Sequence, residues 1–211
     1  MASLCAEEEQ AASRIVVASG RFVPAVWQTP AYGAAVVEHL RKLHGAMGGE
    51  PPLTEDGSQQ SLALRQARGA RLRERLAAGE CAFVACIGRA AFSETLTELL
   101  PNPRDRYTQL HTILRRAQEP GNTLFLYDTQ LHDTSVIVEH WMPGDHKPQR
   151  WVETTIGDRI FGPDNEGVCA GIASWIIQAG AEGNQYVLTH EASVDYMHQQ
   201  VAAARRELGV D

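Results

Sequence analysis

Apolar positions in this chain repeat at helical spacing in some stretches and run without a break in others, and the two patterns divide it into elements. Residues 6–19 set Ala12, Ile15 and Val16 on one side of a predicted short helix that Gly20 stops. Thr29-Pro30 supplies a capping hydroxyl and a proline at the first helical position, and Tyr32, Val36, Leu40 and Leu43 follow at helical spacing. A third helix is predicted over 58–78, with Leu62, Leu72 and Leu76 as its apolar stripe, Gly79 as its stop and Gly69 weakening its middle. Asn102-Pro103 repeats the cap-then-proline signal, and Tyr107, Leu110, Leu114 and Ala117 carry a helix that ends before Pro120-Gly121.

The uninterrupted runs are short and bounded by turn residues, which suits strands. They fall at 82–87, 123–127, 135–142 and 150–156, and Gly157-Asp158 would close a hairpin onto 159–161. Asp164 or Asn165 then caps a helix bearing Val168, Ile172, Trp175 and Ile176 that Gly180 ends, and a last helix covers about 190–208. Strands gathered in the middle with helices at both ends predict an α+β fold, with a central, mostly antiparallel sheet of about four strands flanked by N-terminal and C-terminal helices. At 211 residues the chain reads as a single domain, 1–211. Residues 45–57 hold four glycines, three acids and a Pro-Pro pair, the composition of an exposed, mobile loop.

Composition narrows the classes of function. The net charge of −7 argues against a domain devoted to nucleic acid, since phosphate binding needs a basic surface. No apolar run reaches the roughly 18 residues of a membrane span. The acidic start, Glu7-Glu8-Glu9, lacks the basic and apolar regions of a secretory signal, so a cytoplasmic protein is expected. Cys5, Cys81, Cys86 and Cys169 fit no zinc spacing and read as buried, reduced thiols.

Three stretches taken together resemble the C-terminal domain of unknown function that follows a helix-turn-helix in WhiJ-like regulators. The first is Val23-Pro24-Ala25-Val26-Trp27-Gln28-Thr29-Pro30-Ala31-Tyr32, similar to the family's proline, apolar pair, Gln-Thr and Tyr signature. The second is the Arg- and Gln-rich helix from Arg65 to Arg75 with the apolar strand and Ala90-Ala91-Phe92 after it, and the third is Trp151-Val152-Glu153-Thr154. Order and spacing agree over residues 6–208. Gly88-Arg89 stands where the family usually carries an acidic residue, and its DNA-binding helices have no counterpart here. The resemblance implies an effector-sensing domain separated from its DNA-binding half, binding a small molecule or a protein partner, with a homodimer compatible.

Candidate chemistry concentrates in a few places. Aromatic walls with one or two polar groups bind flat or apolar small molecules, and Trp27, Gln28, Tyr32, Trp151 and Glu153 fall in the family-like stretches. Alternation sets Trp151, Glu153 and Thr155 on one face of their strand, where Glu153 would anchor a ligand. In the alternative reading, a cofactor-independent cyclisation or rearrangement in specialised metabolism, Glu153 would be the general base. Arg65, Arg68, Arg71 and Arg75 fall within about 120° on the third helix, a stripe suited to a phosphate-bearing ligand, nucleic acid or an acidic partner, or simply to pairing with the chain's own acid. Arg68 and Arg71 join the candidate ligand-binding residues.

His132-Asp133, Glu139-His140 and Asp145-His146 have a metal-compatible composition but match no site spacing, and strand geometry sends Glu139 and His140 to opposite faces, so no metal is expected. Cys169, next to the Val168 and Ile172 stripe, reads as structural rather than nucleophilic. No P-loop, Gly-x-Gly-x-x-Gly, Gly-x-Ser-x-Gly or His-Glu-x-x-His pattern occurs, and no cofactor is predicted.

Overall fold

Three short apolar runs form the centre of the molecule: β1 (Arg14–Ser19), β2 (Ala82–Gly88) and β3 (Asn122–Tyr127), buried over nearly their whole lengths. A computed structural model describes residues 11–46, 55–128, 135–144, 149–154, 160–161 and 175–210. In it β4 (Ser135–Trp141), β5 (Gln149–Thr154) and β6 (Ile160–Phe161) complete one six-stranded sheet of order β3-β2-β1-β4-β5-β6. The helices are α1 (Pro30–Ala46), α2 (Glu55–Ala77), α3 (Glu94–Leu99), α4 (Pro103–Gln118), α5 (175–182) and α6 (His190–Glu207).

The α+β class stands, but the mostly antiparallel sheet does not. β1 pairs parallel with β2, and β2 parallel with β3, while β1 pairs antiparallel with β4. Across the four strands β3-β2-β1-β4, two of three pairings are therefore parallel, and antiparallel pairing dominates only outward through β5 and β6. The cause lies in the connections. Helices α1 and α2 separate β1 from β2, α3 and α4 separate β2 from β3, and such crossovers bring consecutive strands in side by side and parallel.

β1 departs from the sequence expectation for a different reason. The predicted helix over 6–19 is a strand from Arg14 onward, since Ile15-Val16-Val17-Ala18 is covered on both faces and shows no alternation. One face carries Ile15, Val17, Phe83, Ile87, Leu124 and Leu126 beneath Tyr32 of α1, Leu72 of α2, Ile113 of α4 and Met197 of α6. The other carries Val16, Ala18, Val84, Cys86, Phe125 and Tyr127 beneath Ile176 and Ala179 of α5. Gly180 does not end α5, which runs to 182; Gly183, at φ +72°, supplies the left-handed turn after it. Of the loop predicted at 45–57, residues 45–46 end α1 and 55–57 begin α2, while 47–54, like the predicted Gly157-Asp158 turn and the cap at 164–165, lie outside the described residues.

β3 lies at the sheet edge, where unpaired N–H groups invite another strand. Here they are taken. Leu124 N–H donates to His190 Nδ1 at 3.1 Å, Leu126 N–H to Ser193 Oγ at 3.0 Å, and Asp128 N–H to the Tyr186 carbonyl at 2.8 Å. Ser193 is fully buried. The variant Ser193→Ala leaves the Leu126 donor unmet, and chemical denaturation should show a loss of about 1–3 kcal/mol, with faster exchange of the Leu126 amide. Unchanged exchange would mean that the hydroxyl does not protect this edge.

Candidate functional site

The turn from β1 into α1 folds back on itself through side-chain hydrogen bonds. Residues Ala25–Trp27 form a 3-10 turn, with Trp27 buried and its ring 5.4 Å from that of Phe83. Tyr32, also buried, accepts a hydrogen bond from Val23 N–H at 3.2 Å, and Gln28 Nε2 donates to the Val23 carbonyl at 2.8 Å. Thr29 caps α1, its Oγ1 receiving the Tyr32 N–H at 3.3 Å.

Gln109 of α4, itself fully buried, clamps the whole segment. Its Oε1 accepts from Thr29 N–H at 2.7 Å and Thr29 Oγ1 at 2.9 Å, and its Nε2 donates to the Trp27 carbonyl at 3.0 Å. Both ends of the amide are used, in the orientation these partners require.

Outside this turn lies a cleft of about 390 Å³, walled by the turn and the start of α1, by Gln66, Gly69 and Arg73 of α2, and by Thr108, Thr112, Arg115 and Arg116 of α4. Gly69 lets α2 approach: a Cβ there would stand 3.6 Å from Val26 Cα and 3.2 Å from Arg73 Nη1. The weakness it brings to the helix is thus matched by close packing against the turn. Three guanidinium groups line the cleft, and no carboxylate, histidine or cysteine is among its described lining residues.

Arg116 Nη1 donates to both oxygens of Glu119, at 2.9 and 2.7 Å, while its Nε is buried without a hydrogen-bond partner. Burial first, then repulsion from Arg116 and Arg115, outweigh the attraction of Glu119 and Glu74 and hold the Arg73 guanidinium below its ordinary value. Gln28 Oε1 is likewise buried and unpartnered. The hydroxyls of Thr108 and Thr112 donate to the carbonyls of Arg104 and Thr108, at 2.8 Å each, so they offer lone pairs rather than protons to the cleft.

Of the candidate ligand-binding residues Trp27, Gln28, Tyr32, Trp151, Glu153, Arg68 and Arg71, only Gln28 lines this cleft. Trp27 and Tyr32 are core residues, and burial pushes the Tyr32 phenol well above its usual range, against the weaker opposing hydrogen bond from Val23. Trp151 and Glu153 sit on β5 opposite Val138 and Val136. Strands β1 and β4 separate β5 from β2, a span of roughly 14 Å at the usual strand spacing, so the β2 face against which Trp27 packs is remote from Glu153.

Arg71 is exposed and Arg68 half-buried on α2, neither lining the cleft. Arg75 instead ties α2 to the strand entry, donating from Nη2 to the Ala12 carbonyl at 2.7 Å. Arg89 opens the short 3-10 turn after β2 and reaches Asp128, just past β3, at 3.5 Å.

His132, Asp133, Asp145, His146 and Cys169 lie outside the described residues, and among those described no three His, Cys, Asp or Glu side chains are grouped to hold a metal. Arg73 belongs to the Arg-rich stretch noted in the sequence but not to its candidate site residues, and Arg115, Arg116 and Gln109 are not anticipated at all. A signal existed: Thr108, Thr112, Arg115 and Arg116 recur at helical spacing, as do Gln66, Gly69 and Arg73. Gln109 is a polar residue inside the apolar stripe of α4.

A family model described as a domain of unknown function, DUF5753, matches residues 3–161. No curated protein matches, and no solved structure does.

Proposed function

We propose that this chain, which belongs to the DUF5753 family, is a small-molecule-binding module whose ligand sits in the cleft between the 25–33 segment, α2 and α4. The observation that carries this reading is convergence. The turn that includes Gln28 and Thr29 forms one wall, and polar side chains from two long helices form the others. The resemblance of that turn to the signature of WhiJ-like sensing domains supports an effector-binding role. In this reading occupancy is relayed to a protein partner.

Binding is favoured over catalysis because the described lining has no group suited to general acid–base work at neutral pH. The enzyme alternative rests on Glu153, which belongs to a distant strand. A cytoplasmic setting is part of the proposal. It is supported by the buried thiols Cys81 and Cys86 and by the lack, among the described residues, of a helix long and apolar enough to cross a membrane.

Thermal unfolding against fractionated metabolite extracts tests the reading. A ligand at about a hundred times its Kd should stabilise the fold by about 2.7 kcal/mol, a rise in Tm of roughly 5–10 °C. Thr112→Trp, which plugs the cleft from the half-buried face of α4, should abolish the shift. No stabilising fraction, or the same shift in the plugged variant, overturns the proposal.

A further inference from the structure

Resting on that reading, we infer that the ligand carries a phosphate or polyphosphate group, held by the guanidinium groups of Arg73, Arg115 and Arg116 at the α2–α4 side of the cleft. Three cations converge there in a chain whose net charge is −7. Acidic partners are at hand in such a chain, and four arginines outside the cleft take one: Arg41 binds Glu38, Arg75 faces Glu80, Arg89 reaches Asp128 and Arg106 pairs with Glu207. In the cleft only Arg116 has a carboxylate within ion-pair distance, Glu119, among the described residues.

The donors present also select the ligand. Planar guanidinium groups present forked N–H pairs that match phosphate oxygens, and several on one site suit a multiply charged group better than a lone carboxylate. The hydroxyls of Thr108 and Thr112 are spent on helix carbonyls and that of Thr29 on Gln109, and Gln28 gives one of its two Nε2 protons to the Val23 carbonyl. The charged donors to an anion are therefore the three arginines, with the amides of Gln66 and Gln28 beside them. Ala25, Val26 and Pro30 add apolar lining for the uncharged remainder of the ligand, and the volume admits a molecule of nucleotide size.

Calorimetric titration of the full chain in low-salt buffer with pyrophosphate, tripolyphosphate, ATP and adenosine tests this, with thermal unfolding in parallel. Tripolyphosphate and ATP should bind and adenosine should not; tighter binding of ATP than of tripolyphosphate would show that the apolar lining holds a base or sugar. Arg115→Gln, at an exposed position that leaves folding intact, and Arg73→Gln should each weaken binding by about tenfold or more. The inference falls if the phosphate compounds fail to bind, or bind both variants as well as the parent. A neutral metabolite that stabilises the parent but not Thr112→Trp would, beside such a failure, leave the cleft as a ligand site and remove only its anion preference. Preference for an oligonucleotide over every small phosphate would overturn the small-molecule form of the claim.

Discussion

Gln109→Leu is expected to lower the unfolding free energy by about 3 kcal/mol and Tm by roughly 6–12 °C. Leucine keeps the bulk of the side chain but deletes the three hydrogen bonds that Gln109 makes to Thr29 and to the Trp27 carbonyl. The glutamine is fully buried, so water cannot readily replace what is lost. Each bond contributes about 0.5–1.5 kcal/mol net, and an orphaned buried backbone group adds further cost. The clamp also shapes the cleft wall, so ligand-induced stabilisation should weaken in the same variant. Urea denaturation with and without ligand measures both effects; a Gln109→Leu protein of parental stability would show that the turn holds its shape without the clamp.

Gly180→Ala should also destabilise, although helix propensity alone predicts a gain of about 0.8–1 kcal/mol for this change within a helix. An added Cβ would stand 2.5 Å from Phe125 Cδ1 and 2.7 Å from Cγ, well inside van der Waals contact. Phe125 is buried under α5 beside Tyr127 and Ile176, which leaves its ring little room to retreat. Overpacking of this kind costs about 1–3 kcal/mol, so the sign reverses. Thermal unfolding of Gly180→Ala, alone and with Phe125→Leu, checks the cause: the second substitution should recover part of the loss. A stabilised Gly180→Ala protein would mean that α5 does not pack this closely on the sheet.

These two residues show where sequence reasoning stops. From the sequence Gly180 reads as a helix stop because glycine commonly is one, yet Gly183 does that work and Gly180 marks a close approach. A glycine's neighbours in space leave no trace in its neighbours along the chain. The Trp27, Gln28 and Tyr32 signature was legible as a unit, but its residues divide between two tasks that only packing separates. Trp27 and Tyr32 build the core beneath the turn, and Gln28 faces the cleft.

Sequence by itself determined the helices whose ends carry chemistry. Thr29-Pro30 and Asn102-Pro103 start α1 and α4 as expected, because capping hydroxyls or amides and a preset proline φ act over a few residues. The apolar runs at β2 and β3 were equally local signals. Tertiary structure decided the rest. Parallel pairing, the strand at Arg14–Ser19, and the meeting of Arg73 with Arg115 and Arg116 depend on how crossover helices return the chain to the sheet. Burial on both faces erases the alternation that betrays a strand, and residues about forty positions apart come to line one cleft only after two helices pack.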